Sequence, residues 1–444
     1  MATPAPGTRW YNAVWRWHFY AGLFCMPFVL WLATTGTIYL WKPQIEAWLE
    51  RPYDTLTPAR PRASADAQVR AALAAVPGGT LHKYQLPQGP GEAARVIVGK
   101  QGIETRVYVD PYRSRVLRTE AESDRPMRFV SELHGTFRAG NPGSYLVEIA
   151  ACWTVTMLLT GLYLWWPRRA RGLAGVLYPR LRSGKRLFWR DLHAVAGIWV
   201  AALALFLIST GLPWAKFWGS YFKEVRTVTA TLDGPQDWPT GARSAMLGDH
   251  AEHGGMTMSH VAAPGAELDR VVAAVYPLGI AAPVLIAPPS APGSPWTVTS
   301  DAANRPLRIR ITVDGTTGTL TSRRDFGERH WLDRVVGYGI AAHEGALFGL
   351  ANQLLGTLTA FLLATLSVSG AVMWWRRRPE GLLGAPIALA RPRYGPVLIG
   401  AVLLLALAMP LFAATLIAAA FVDRFLLPRW PAACKWLGLV PKRA

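Results

Sequence analysis

The sequence predicts an α-helical membrane protein with four core transmembrane helices in two span–loop–span repeats, and a fifth transmembrane helix near the C-terminus. Three observations predict this fold. The chain of 444 residues is 51% hydrophobic, and its mean hydropathy of +0.18 exceeds that of an ordinary soluble domain. Its apolar segments reach the roughly 20 residues that a bilayer crossing requires. Two histidine–glycine spacings also occur twice, once in each half of the chain.

The apolar segments give five candidate spans in chain order. They run over about 22–41, 145–166, 193–214, 351–375 and 397–422. No small-residue cleavage site follows the first segment, so we expect it to remain as an uncleaved span. Pro410 lies inside the fifth segment. We therefore expect a single kinked helix there rather than a hairpin of two half-length segments.

The basic residues predict the orientation. The short loops 167–191 and 376–393 are rich in arginine and lysine, so both are expected on the cytoplasmic side together with the N-terminus. The long loops 46–132 and 215–342 then lie on the periplasmic side of a bacterial inner membrane. The net charge of +19 does not indicate nucleic acid, because its densest clusters adjoin apolar segments. The expected partner of this surface is the lipid bilayer.

These observations divide the chain into alternating spans and loops. The expected parts are a first span (10–45), a first outer module (46–130), a second span (131–168), a basic cytoplasmic loop (169–190), a third span (191–218), a second outer module (219–328), a fourth span (329–378), a cytoplasmic loop (379–395), and the fifth span with its tail (396–444).

The two outer modules share a sequence pattern. The segments 107–117 and 311–320 both indicate a strand, a tight turn and a second strand. A short helical pattern precedes each of them, over 67–76 in the first half and 267–275 in the second. The two halves share one orientation, which implies a pseudo-two-fold axis along the membrane normal. Each outer loop is therefore predicted to form a small α+β module of its own.

Four of the nine histidines occupy matched positions in the two halves. His18 and His193 each precede a glycine by 18 residues, and His134 and His343 each precede one by 27, the glycines being Gly36, Gly211, Gly161 and Gly370. A histidine in a membrane segment is costly and usually functional. The pseudo-two-fold axis pairs His18 with His193 near the cytoplasmic side and His134 with His343 near the outer side.

Heme is the ligand that best suits these pairs. Two facing imidazoles fill both axial positions of one heme iron, which gives an electron-transfer site rather than an oxygen-binding one. The sequence thus predicts two b-type hemes, since the chain has no C-x-x-C-H motif for covalent attachment. Gly22 and Gly197, four residues after their histidines, would let a flat macrocycle approach the helix.

Two segments decide where the outer pair lies. A continuous helix from His343 to Trp374 would be about 46 Å long, which would place that histidine at the membrane edge. In the first half, Asn141-Pro142-Gly143 is expected to break the helix after His134 and let the histidine fold inward.

A second candidate metal site lies in the second outer loop. Its residues are imidazoles and thioethers, which suit copper and especially Cu(I); they are His250, His253, Met256, Met258 and His260. A polar loop that binds no metal explains the same pattern. The segment has no counterpart in the first half, so it does not belong to the predicted heme sites.

Several short motifs resemble one known family. They are Trp-Arg-Trp-His-Phe-Tyr-Ala-Gly-Leu at 15–23, Leu-His-Gly at 133–135, Leu-His-x-x-x-Gly at 192–197, His-Glu-Gly-Ala-Leu-Phe-Gly at 343–349 and Ser-Gly-x-x-x-Trp-Trp-x-Arg at 369–377. Over roughly residues 10–380, the chain resembles the PepSY-associated transmembrane family of iron-regulated membrane proteins. The resemblance implies PepSY-like periplasmic modules, heme b and a role in iron uptake.

Characterised members of that family are inner-membrane diheme reductases of ferric siderophores. The resemblance therefore implies a heme-dependent transmembrane ferric-chelate oxidoreductase with a ferric siderophore as its periplasmic partner. The chain has neither a G-x-G-x-x-G fingerprint nor a P-loop. Electrons would therefore come from a separate cytoplasmic donor or from quinol.

Two other classes of function remain open from the sequence. The first is a periplasmic copper-handling protein or cupric reductase that uses the histidine- and methionine-rich loop. The second is a heme-free regulator, because isolated PepSY modules resemble inhibitory segments of secreted peptidases. Heme-free protein with an intact fold would favour the regulator, and metal binding that survives loss of all four membrane histidines would favour the copper-handling protein.

Overall fold

The computed structural model describes residues 6–58, 61–167, 172–232, 238–241, 265–389 and 394–439. The chain forms two compact units, and each unit draws on both halves of the sequence. The helical unit contains Met1–Thr37, His134–Phe222 and Leu354–Ala444, and the sheet unit contains Ile38–Leu133 and Lys223–Gln353. The candidate copper ligands His250, His253, Met256, Met258 and His260 lie outside the described residues.

The described residues form the following helices and strands. The helices are α1 (Pro6–Leu40), α2 (Lys42–Asp54), α3 (Ala65–Ala75), α4 (Pro126–Thr136), α5 (Gly140–Trp165), α6 (Lys185–Gly211), α7 (Lys216–Val228), α8 (Ala266–Val275), α9 (Trp331–His343), α10 (Leu350–Arg377), α11 (Pro396–Ala408), α12 (Pro410–Phe421) and α13 (Pro431–Trp436). The strands are β1 (Thr80–Leu86), β2 (Ala94–Lys100), β3 (Ile103–Val109), β4 (Val116–Ala121), β5 (Val284–Ala287), β6 (Trp296–Ser300), β7 (Ile309–Val313) and β8 (Leu320–Asp325).

Within the part of the chain that the structure describes, five helical segments are long and apolar enough to cross a membrane. They are Arg9–Leu40, Gly140–Trp165, Lys185–Trp214, Leu350–Arg377 and Pro410–Arg429. The first four coincide with the four predicted core spans. In the helical unit, α5 packs on α6 through Leu158, Ala201 and Ala204. The two alanines let the helices approach closely, as small residues do in membrane interfaces.

The fifth span differs from its prediction. The segment 397–422 is not one kinked helix, because α11 ends at Ala408 and α12 begins at Pro410. Met409 between them has φ −135° and ψ 80°, outside the helical region. Proline disfavours the helical conformation in the residue that precedes it and cannot donate a backbone hydrogen bond. Two separate helical segments are therefore observed, of which the first, Pro396–Ala408, is short and the second, Pro410–Arg429, is long enough to cross a membrane.

The segment from Tyr394 to Leu437 begins and ends near the same end of α1. At the start of the excursion, Tyr394 packs against Trp17 with ring centroids 6.3 Å apart. At its far point, the Trp218 indole donates to the Ala408 carbonyl over 2.9 Å. After α12, the Tyr20 hydroxyl donates to the Leu437 carbonyl over 2.6 Å. The two segments together thus form a hairpin along the helical unit, and Leu437 at its end lies beside the start of α1.

The sheet unit is built on one antiparallel eight-stranded sheet of order β4-β3-β2-β1-β5-β6-β7-β8. The predicted strand–turn–strand segments are β3–β4 and β7–β8, and the predicted helices are α3 and α8. The expectation of two separate modules is wrong, because β1 pairs directly with β5, with Gln85 opposite Leu285. The pairing gives hydrogen-bond partners to backbone groups of β1 and β5 that would otherwise lie unpaired at a sheet edge.

One apolar core serves both halves of this sheet. Val69 of α3 and Leu268 of α8 are both fully buried against it. The indole of Trp296 is also buried there, and its nitrogen donates to Glu267 over 3.1 Å. Neither helix–strand set forms its own core, which explains physically why the two modules merge.

Two helix breaks lie next to the outer histidines. The helix is not continuous from His343 to Trp374, because α9 ends at His343 and α10 begins at Leu350. Gly345 and Gly349 make this turn with positive φ angles of 75° and 57°, a conformation that favours glycine. The predicted break after His134 is present, between the end of α4 and the start of α5 at Gly140. It precedes the Asn-Pro-Gly sequence.

Candidate functional site

The helical unit brings His18 of α1 and His193 of α6 together. Their ring centroids are 6.3 Å apart and the ring planes meet at 79°. Both side chains are half-buried. The two positions that correspond in the sequence therefore face each other, as the repeated spacing predicts.

Each imidazole is held by a neighbouring helix through its Nδ1 atom. For His18, Nδ1 lies 3.0 Å from the Met157 carbonyl oxygen and 3.2 Å from the Thr160 hydroxyl oxygen. For His193, Nδ1 lies 3.1 Å from the Leu366 carbonyl oxygen and 3.2 Å from the Ser369 hydroxyl oxygen. With Nδ1 engaged on both rings, Nε2 is the nitrogen that each ring has left for a metal.

The separation of the rings fits two axial ligands of one iron. Two metal–imidazole bonds of about 2.0 Å each, with the distance from each nitrogen to its ring centre, total about 6 Å. The observed 6.3 Å agrees with that span. Perpendicular ring planes do not hinder such ligation, because each bond lies along the axis of its own imidazole.

Glycines lie directly against the two rings. A Cβ atom on Gly161 would lie 3.1 Å from Cε1 of His18, and one on Gly370 would lie 3.4 Å from Cε1 of His193. Both distances are at or below the lower end of ordinary carbon contacts. These glycines, which mark the 27-residue spacing, therefore leave room for the imidazoles of the other pair.

Gly22 and Gly197 have different neighbours. A Cβ on Gly22 would lie 3.9 Å from Sδ of Met157, and one on Gly197 would lie 3.6 Å from Cδ2 of Leu366. Met157 and Leu366 are also the residues whose carbonyls hold the histidines. The two glycines thus allow close packing of the helices that position the rings, and their contact with a macrocycle stays a prediction.

His134 is held in the same way within the helical unit. Its Nδ1 atom lies 3.0 Å from the Thr35 hydroxyl oxygen, and a Cβ on Gly36 would lie 3.1 Å from its Cε1. The backbone of Leu32 provides a further hydrogen bond. His343 is the last residue of α9, in the sheet unit.

Positive charges surround the end of α6 that carries His193. Asp191 is fully buried and accepts hydrogen bonds from Arg180 at 2.6 Å and from Arg190 at 2.7 Å. Arg377 at the end of α10 lies near His193, with its guanidinium 5.7 Å from the Trp15 ring. This end of the site is therefore suited to an anionic group.

The hydroxyl groups that hold the imidazoles are absent from the sequence prediction. Their signal was nevertheless present, because a serine or threonine precedes each of the four matched glycines at positions 35, 160, 210 and 369. The 18- and 27-residue spacings identify the glycines but indicate no role for the residues before them.

The fold and the paired imidazoles define a multi-pass membrane protein whose helical unit carries a two-histidine site. The chain belongs to the PepSY-associated TM region family, which matches residues 15–377. This match confirms the family that the sequence motifs suggested, and it covers all four histidines of the repeat. No curated protein matches the chain in a sequence search.

Proposed function

We propose that the chain is a diheme b electron-transfer protein of the bacterial inner membrane that reduces ferric siderophores on the periplasmic side for iron uptake. The observation that carries the proposal is the imidazole pair of His18 and His193 at 6.3 Å. A heme held by these two imidazoles would supply one-electron transfer chemistry.

The chain's own residues would hold and orient the first heme. His18 and His193 would hold the heme iron through Nε2, and the hydrogen bonds at Nδ1 would fix the ring orientation. Arg377 supplies a positive charge close to His193, where a propionate carboxylate would be stabilised. The second heme is proposed for His134 and His343 from the sequence repeat.

The substrate step is a one-electron reduction. The ferric chelate gains one electron and becomes ferrous, while a cytoplasmic or quinol donor is oxidised by the same amount. Oxygen-rich chelators hold hard ferric iron more strongly than the softer ferrous ion, so reduction favours release. The proposed topology places the N-terminus in the cytoplasm and the sheet unit in the periplasm, where the substrate would arrive.

The first test is the heme content of the purified protein. We expect the wild type to show a low-spin b-type spectrum with two hemes per chain, and His18→Ala to lose one of them. The matched control is His82→Ala, since His82 pairs with Glu104 in the sheet unit. A folded wild type that stays colourless after heme-supplemented expression contradicts the proposal and favours a heme-free regulator.

The second test addresses the substrate. Protein in liposomes, reduced chemically without oxygen, is mixed with a ferric siderophore and an indicator that traps ferrous iron. We expect ferrous iron to form as the heme is reoxidised, and His18→Ala to slow this reoxidation. Heme that reduces a cupric chelate but no ferric chelate would contradict the iron substrate and favour the cupric alternative.

A further inference from the structure

The three histidines that belong to the helical unit share one local arrangement. For His18 and His193, Nδ1 meets a backbone carbonyl and a hydroxyl three residues further along the same helix. For His134, Nδ1 meets the Thr35 hydroxyl, and the backbone of Leu32, three residues earlier, provides the second hydrogen bond. The sets are Met157 with Thr160 for His18, Leu366 with Ser369 for His193, and Leu32 with Thr35 for His134. We call each set, with its following glycine, an imidazole seat.

The hydroxyl proton in each seat is directed away from the ring. Thr160 donates to the Thr156 carbonyl over 2.7 Å, Ser369 donates to the Thr365 carbonyl over 2.6 Å, and Thr35 donates to the Trp31 carbonyl over 2.9 Å. A hydroxyl has a single proton, so with that proton engaged it offers only lone pairs to the imidazole. The carbonyl in the seat also offers only lone pairs.

Two acceptors facing one ring nitrogen determine the tautomer. Nδ1 must carry the proton, because a lone pair there would face two other lone pairs. Nε2 is then unprotonated, which is the form that binds a metal. The seat glycine completes the arrangement, since a side chain at Gly161 or Gly36 would meet the ring at 3.1 Å.

The structure assigns Thr160, Ser369 and Thr35 as positioning residues that keep His18, His193 and His134 in the Nδ1–H tautomer with Nε2 ready to bind iron. This inference rests on the proposed function for the identity of the metal. Thr210-Gly211 is the fourth copy of the hydroxyl–glycine pair in the sequence, and its hydroxyl donates to the Phe206 carbonyl over 2.8 Å in the same way.

The test replaces Thr160 by valine, which has the same shape without the hydroxyl. We expect heme affinity at the His18 site to fall roughly 10-fold, the usual lower effect of losing a hydrogen bond to a metal-bound histidine. The midpoint potential should rise, because a ring with one acceptor fewer donates less charge to ferric iron. Thr160→Ser should restore both values, and Ser369→Ala should repeat the effect at the twin ring.

The matched control is Thr156→Val, one turn away on α5. Among the described residues, the Thr156 hydroxyl is buried and has no hydrogen-bond partner, so its loss should leave the spectrum and potential unchanged. Equal effects of Thr156→Val and Thr160→Val would overturn the assignment, because a structural role alone would explain both.

Nitrogen NMR of heme-free protein separates this inference from the proposed function. His18 should carry its proton on Nδ1 in the wild type, identified by the signal that His18→Gln removes. A proton on Nε2 would contradict the assigned tautomer even if heme binds normally. A colourless wild type with the proton on Nδ1 would refute the proposed function and still support the tautomer assigned to the imidazole seat.

Discussion

The two copies of the repeat agree closely in the helical unit and differ in the sheet unit. The Nδ1–carbonyl distances at His18 and His193 are 3.0 and 3.1 Å, and both hydroxyls lie at 3.2 Å. In the sheet, strand pairing is repeated but the buried charges are not. The first copy groups three arginines around Glu50, whereas the second has separate pairs such as Arg308 with Asp301.

This difference shows which features each region requires. An imidazole ligand needs a fixed tautomer and orientation, and few arrangements of neighbouring groups provide them. A buried arginine needs only some carboxylate or carbonyl nearby, and many positions in a sheet can supply one. The two copies could therefore diverge in their ion pairs while the imidazole seats stayed alike.

The charge cluster of the first copy should give the largest stability effect. Glu50 lies 2.7 Å from Arg95 and 2.7 Å from Arg125, and only 6% of the Arg95 side chain is exposed. Arg95 would keep Asp54 and Arg125 would keep Glu46, but Glu50→Gln would remove a charged acceptor from each of the two arginines. Since hydrogen bonds to charged groups contribute about 1.5–3 kcal/mol each, we expect the sheet to lose about 3 kcal/mol. Hydrogen exchange of the β2 and β3 amides would measure the loss. The control is Glu120→Gln, which removes a more exposed ion pair with Arg118.

The same cluster makes the sheet sensitive to acid. Burial raises the pKa of Glu50, but the charges of Arg95, Arg106 and Arg125 together bring that pKa below its ordinary value of 4.5. Its folded pKa is thus below its unfolded pKa. The contribution is fully present above about pH 4.5 and is lost as the pH falls through the folded value. If the stability of Glu50→Gln falls as steeply with decreasing pH as that of the wild type, this account is contradicted.

The glycines of the seats should give a smaller effect that differs between the copies. An alanine Cβ would lie 3.1 Å from the ring at Gly161 but 3.4 Å at Gly370. We expect Gly161→Ala to lower heme retention more, at an overpacking cost of about 1–3 kcal/mol. The control is Gly400→Ala on α11, where a Cβ meets nothing within 4 Å. Equal losses at Gly161 and Gly370 would show that ring contact does not set the cost.

The turns that join the last two strands of each copy should give the smallest difference in stability between the two copies. Asp110 is 2% exposed and accepts from the backbone amides of Tyr112 and Arg113. Asp314 accepts from those of Thr316 and Thr317 in a more exposed setting. Asp110→Ala should cost about 1–3 kcal/mol, and Asp314→Ala less. Thermal unfolding of both variants would compare them, and a larger loss at Asp314 would reverse the expected order.

The sequence predicted the parts of the fold that depend on local pattern. Apolar length indicated the four core spans, and alternation indicated the strands around Asp110 and Asp314. Its failures concern interactions between distant segments. The pairing of Gln85 with Leu285 joins strands that lie 200 residues apart, and no local periodicity reports it. The break at Met409 was visible as Pro410, but whether proline kinks or ends a helix depends on the surrounding packing.

The candidate site could be predicted at the level of the histidines but not of their surroundings. Repeated spacing identified His18 and His193 as twins, because each occupies the same place in one repeat. The hydroxyl of Thr160 reaches His18 from 142 residues away. Its role became evident only when the helices were packed side by side. Thr160 differs from Thr156 in sequence by the matched glycine that follows it, but the sequence alone does not show that its hydroxyl meets a ring.

The pairing of β1 with β5 has a consequence for how the two halves of the chain associate. Only three residue pairs join the strands, centred on Gln85 and Leu285, yet they complete the backbone pairing of a continuous sheet. This is the geometry of strand addition, in which main-chain bonds give affinity and side chains give register. If the chain were divided in the basic loop before α6, each fragment would carry one of the two paired strands. A duplicated ancestor of half this length could have assembled as a homodimer by the same pairing.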